Sequence, residues 1–168
     1  IYIYVCEHNK MKNAAIYAAS RKILTVSAIR KIPEVTDVCC DAFFVKNATQ
    51  FQITLSDVTF SLNIMPKKIL SKHRGEFQGF VKSIHEKTPI VDMLDIMIYI
   101  GNFNQAYGLV SEIEFDFESP LWLVLVKLAK IIDGVIFVSD TLLDSHEQVL
   151  FGSLSASDCS RFSNKINK

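Results

Sequence analysis

Residues able to do chemistry are few, and the densest run of them is Glu112-Ile113-Glu114-Phe115-Asp116-Phe117-Glu118. Successive side chains on a β-strand point to opposite faces. The alternation predicts a strand with Glu112, Glu114, Asp116 and Glu118 on one face and Ile113, Phe115 and Phe117 on the other. Like charges about 7 Å apart repel one another and spread a negative stripe over the surface. A flat strand does not converge its carboxylates, so no metal site is expected from them. A stripe of this kind suits the docking of a cationic partner.

Other candidates are weaker. His73 and His85 are twelve residues apart, about 120° around an ideal helix, and would not share a ligand set. His146-Glu147 lacks the second histidine of an HExxH motif. Asp140, Asp144, His146 and Glu147 read as a polar turn. As a hydrolase site they lack a nucleophile, because Ser139 and Ser145 have no GxSxG context. The four cysteines are Cys6, Cys39, Cys40 and Cys159, with no CxxC spacing. Cys39 and Cys40 are expected to be small buried thiols at a helix–loop junction. The pattern fits a reducing compartment, and a Cys6–Cys159 bridge has no further support. No GxxxxGK[ST] or GxGxxG motif is present. Lys67, Lys68, Lys72, His73 and Arg74 read as a solvated helix start. No catalytic residue, metal or cofactor is therefore expected.

The elements that would position these groups follow from periodicity. Ile1–Val5 reads as a strand. Ala14–Ile32 is ambiguous: its alanines favour a helix, while Ile23–Ile29 looks like a strand. Glu34–Cys40 reads as a short helix beginning at Pro33, and Ala42–Val45 as a strand. Phe51–Leu55 and Val58–Ile64 alternate apolar and polar residues across Ser56-Asp57, which predicts a hairpin. Leu70, His73, Phe77, Phe80, Val81 and Ile84 recur at helical steps within Lys67–Glu86. Ile96–Ile100 reads as a central strand and Tyr107–Phe117 as its partner. Ser119 and Pro120 mark the start of a buried helix, Leu121–Ile132, which Asp133-Gly134 ends with Gly134 in the left-handed conformation. Val135–Val138 and Val149–Phe151 are further strands.

The fold class expected is α+β: an antiparallel sheet built from hairpins, with two main helices packed on one face. Residues 1–152 form a single domain and 153–168 a flexible tail. The 168 residues include 18 Lys+Arg and 18 Asp+Glu, so the formal net charge is zero. That balance argues against a general nucleic-acid binder. The longest apolar stretch, Pro120 to Ile136, is interrupted by Lys127, Lys130 and Asp133 and is too short and too charged to span a bilayer. Neither a nucleic acid nor a membrane is expected as a partner. A cytoplasmic location is expected. The chain starts at Ile1 rather than Met, which leaves room for a removed signal segment. Basic residues around Ala14–Ile32 (Lys10, Lys12, Arg21, Lys22, Arg30 and Lys31) stand against the acidic run, giving a neutral chain with separated poles.

The stretch from Val58 to Gly152 resembles small α+β immunity proteins of bacterial polymorphic-toxin systems. The resemblance rests on Asn63-Ile64-Met65-Pro66 ending a strand, the amphipathic helix, the hydrophobic hairpin, and the buried helix Leu121–Ile132. It also includes Asp133-Gly134-Val135-Ile136-Phe137 and the close at Leu143-Asp144 and Val149-Leu150. It implies a non-enzymatic protein that binds a cognate toxin or effector domain and occludes its active surface. A nuclease is one toxin class whose basic cleft would meet Glu112, Glu114, Asp116 and Glu118. The alternatives are a small enzyme with a polar site near residues 140–147, drawing on His73, and a homo-oligomeric structural protein.

Overall fold

The computed structural model describes residues 12–84, 92–117 and 119–152. Ile1–Val5, Cys6, His8, His85, Glu118, Cys159 and the tail 153–168 lie outside them. In chain order the elements are β1 (Asn13–Ala18), α1 (Val26–Arg30), β2 (Asp37–Cys40), a 3-10 turn at Val45–Asn47, β3 (Gln50–Thr54) and β4 (Thr59–Ile64). There follow α2 (Lys67–Ile84), α3 (Met93–Gly101), β5 (Gln105–Ser111), α4 (Pro120–Ile131), β6 (Val135–Val138), β7 (Thr141–Leu143) and β8 (Val149–Phe151).

The strands form one eight-stranded sheet in the order β2-β3-β4-β5-β1-β6-β7-β8, and every pairing is antiparallel. The fold class is α+β, as expected. The β3–β4 hairpin is present and pairs Phe51 with Leu62 and Ile53 with Phe60. Helices cover both faces of the sheet. Ile16, Leu62, Leu109 and Ile136 share one core with α4 and with Ile29 of α1. Tyr17, Ala106, Val135 and Phe137 face the other way and pack against α2 and α3. The two helices that share one face are thus α2 and α3, while α4, expected beside α2, lies on the opposite face.

The Ala14–Ile32 ambiguity resolves with strand first and helix second. The alanine-rich part is the central strand β1, flanked by β5 and β6. Its small side chains sit beneath helices on both faces, so tertiary packing overrides helix propensity. The β-branched part contains α1, capped where Thr25 Oγ1 accepts from Ala28 N at 3.1 Å. Glu34–Cys40 is not a helix, because its second half is edge strand β2. Ala42–Val45 is not a strand. Ile96–Ile100 is not a strand either: it lies in α3, where Asp92 Oδ1 accepts from Leu94 N at 2.8 Å. A continuous apolar run cannot by itself separate a buried strand from a helix. Here the four-residue step from Ile96 to Ile100 lies against the core.

Gly134 is needed for a reason other than its left-handed freedom. The left-handed residue at this corner is Asp133, with φ of 51°. A Cβ on Gly134 would stand 2.9 Å from the Tyr17 carbonyl oxygen and 3.0 Å from the Ile16 side chain. The close approach of β6 to β1 is what demands glycine.

Candidate functional site

Glu112, Glu114 and Asp116 are exposed, but residues 112–117 do not form a strand. β5 ends at Ser111, whose partner is Phe60 near the start of β4. Beyond Ser111 the chain leaves the ladder, although Thr59 of β4 would fall opposite Glu112 in register. Residues 112–117 form a loop that leads into α4. Ser111 Oγ accepts from Ile113 N at 3.2 Å as the chain turns. Phe115 is fully buried and meets Phe60 edge to face at 6.2 Å. Phe117 meets Trp122 edge to face at 4.7 Å. Two aromatic anchors therefore hold the loop down. Glu112, Glu114 and Asp116 remain in solvent, so the structure brings these three together on one loop. Ile113, expected in the core, is 46% exposed between two of them.

Ser119 closes the loop. Its hydroxyl donates to Asp116 O at 2.7 Å, accepts from Trp122 N at 3.2 Å, and caps α4 with Pro120 in the first turn. Local sequence thus positions the acidic loop at the start of a helix whose Leu121, Trp122, Val124 and Leu125 are buried.

The polar groups of Asp140–Glu147 serve the chain around them. Asp144 Oδ1 accepts from His146 N at 2.8 Å and Gln148 N at 2.9 Å. Glu147 Oε1 accepts from the Trp122 indole at 2.6 Å. Thr141 is wholly buried in β7. His73, the other member of the alternative enzyme site, bonds elsewhere, with its Nε2 3.0 Å from the Tyr17 hydroxyl. The Tyr17 ring stacks on Phe77 at 4.7 Å and on Phe103 at 5.1 Å. Burial pushes the Tyr17 hydroxyl well above its usual range. Burial lowers His73, with the Glu76 carboxylate pulling weakly the other way.

Both thiols at Cys39 and Cys40 are free and lie on edge strand β2 rather than at a helix–loop junction. Cys39 is exposed, and Cys40 Sγ donates to Ala42 O at 3.0 Å. Among the described residues no group of three or more His, Cys, Asp or Glu is placed to hold a metal ion. No described helix is long and apolar enough to cross a membrane.

An open depression of about 420 Å³ lies between α1 and α4, lined by Thr25, Ser27, Lys31, Pro33, Lys127 and Ile131. Lys127 is held there by Glu34, with Nζ at 2.6 and 2.8 Å from the two carboxylate oxygens. That hydrogen bond holds the Glu34 carboxyl below its usual range. This ion pair, the Tyr17–His73 pair and the Trp122–Glu147 bond all join residues far apart in the chain. No local spacing announces them.

No family model matches the chain, and no curated protein or solved structure is similar enough to count as a relative.

Proposed function

We propose that the protein is a non-enzymatic, immunity-type inhibitor that binds a cognate bacterial toxin domain and occludes its active surface. The observation that carries this reading is the acidic loop. Glu112, Glu114 and Asp116 stand in solvent on a segment pinned by Phe115 and Phe117. A pinned loop loses little conformational freedom on binding. Its charges accelerate encounter with a basic surface, and the exposed Ile113 between them adds apolar contact area. A nuclease cleft, built to hold phosphates, presents the complementary field. Glu118 belongs to the same sequence run and lies outside the described residues.

The test is co-expression with the protein encoded immediately upstream, followed by affinity purification and size exclusion. A stable one-to-one complex is expected. Glu114→Lys with Asp116→Lys is expected to weaken it by on the order of tenfold or more, mainly through slower association. Unchanged affinity in that variant removes the acidic loop from the interface. Separate elution of two folded proteins removes the pairing.

A further inference from the structure

At the strand ends opposite the acidic loop, the β2–β3 loop and the start of α2 expose lysines together with apolar side chains. The loop joining β2 to β3 sits there. Its base is closed by Asp41, whose Oδ1 accepts from Thr49 N at 2.8 Å and Gln50 N at 3.2 Å. The Thr49 hydroxyl bonds the other carboxylate oxygen. These bonds hold the Asp41 carboxyl below its usual range, and they turn its charge into the loop base. The tip presents Phe43, 95% exposed, and Phe44, 58% exposed. The two rings meet edge to face at 5.1 Å, and Lys46 Nζ stands 5.8 Å from the centre of the Phe44 ring.

The first turn of α2 emerges from the same end. Ile64 N donates to Thr49 O at 2.8 Å, which ties the end of β4 to the base of the loop just before α2 begins. That turn carries Lys67 and Lys68, both exposed, and Ile69, 47% exposed. It contains no acidic residue.

Three apolar side chains and three ammonium groups therefore project from one end of the molecule. We propose that this end docks on an anionic lipid surface. Phe43, Phe44 and Ile69 would enter the boundary between headgroups and acyl chains, and Lys46, Lys67 and Lys68 would meet the headgroup phosphates. Aromatic side chains favour that boundary, because one end of the environment is apolar and the other wet. A nucleic acid offers Ile69 nothing to stack on, and two rings set edge to face are not a stacking platform for successive bases. The same surface would repel Glu112, Glu114 and Asp116. A bound molecule would therefore stand with its acidic loop turned away from the lipid and open to a protein partner.

Such contact with one leaflet differs physically from crossing a bilayer, and it departs from the expectation of no membrane partner, which rested on the lack of a spanning stretch. It is independent of the inhibitor reading, because its test contains no toxin. Flotation of the full chain with phosphatidylcholine vesicles, with and without about a third phosphatidylserine, is read at low and high salt. Binding to the anionic vesicles at low salt is expected, with little to the zwitterionic ones. Phe43→Ser with Phe44→Ser, and separately Lys46→Glu with Lys67→Glu and Lys68→Glu, should each lower binding by on the order of tenfold or more. Circular dichroism melts confirm that each variant is folded. No binding to anionic vesicles, or undiminished binding by the folded phenylalanine variant, overturns the proposal. Release from the vesicles by a single-stranded RNA oligonucleotide that binds more tightly through the same lysines also overturns it, in favour of a nucleic-acid surface.

Discussion

On α2, His73 faces the sheet and shares a hydrogen bond with Tyr17, and its burial there lowers its value. The folded-state value lies below the ordinary 6.5. Below about pH 6.5 the unfolded chain therefore binds more protons than the folded one at this site. The contribution of neutral His73 to stability is complete above that pH and is lost as pH falls through it. Thermal melts between pH 7 and 5 are expected to show a falling Tm. His73→Gln, which can still accept from the Tyr17 hydroxyl, should flatten that slope. The same slope in wild type and variant would assign the effect elsewhere. Glu34 and Asp41 have lowered values from ordinary values of 4.5 and 3.8. Their contributions are present above those values and are lost only in more acidic solution, so His73→Gln should retain the steep acid limb. The helical step that places His73 between Leu70 and Phe77 was visible in the sequence. Its partner Tyr17, in a segment open to either helix or strand, was not.

Helix α4 shows what a cap does for an element. Ser119 joins the acidic loop to the helix through bonds to Asp116 O and Trp122 N. Ser119→Ala is expected to cost about 1 kcal/mol, in the range of roughly 0.5–2 kcal/mol for such caps. In a chain of this length that lowers Tm by about 3 °C per kcal/mol. Both ends of α4 were readable because their signals are local: serine then proline at the start, aspartate-glycine at the end. The strand expected over Tyr107–Phe117 was right only as far as Ser111. Alternation of apolar and charged residues records which side chains seek water. It does not record whether the backbone stays paired with a neighbouring strand.

Among the described residues the eight-stranded sheet ends at β2 and β8, and an unguarded edge invites pairing with another copy. On β2 the outward N–H of Val38 is occupied by Asp37 Oδ1 at 2.9 Å, and its carbonyl accepts from Arg30 at 3.4 Å. Two charged side chains thus blunt the middle of a four-residue edge strand. Arg30→Ala with Asp37→Ala is expected to produce concentration-dependent self-association in size exclusion, while wild type elutes at a constant volume. A variant that elutes like wild type at all concentrations would show that the shortness of β2 suffices. At this scale the acidic loop and the Phe43–Lys46 loop with the start of α2 stand at opposite ends of the strands, although Lys12 lies at the first end and Asp133 at the second. Zero net charge conceals that arrangement.

Sequence alone determined the α+β class, the β3–β4 hairpin, the existence of α2 and α4, the cap at Ser119, and the run of carboxylates from Glu112. Each depends on interactions between residues a few positions apart, so spacing and residue type are enough to reveal it. Tertiary structure decided that the alanine-rich segment is the central strand, that Ile96–Ile100 is helical, and that α4 lies on the opposite face from α2. It also decided that Phe43 and Phe44, expected within a strand, stand in solvent. These outcomes depend on which surfaces are left to cover once the sheet has formed. An alanine fits under a helix on either face of a strand, and an apolar run satisfies either element. Only the packing of distant segments selects one.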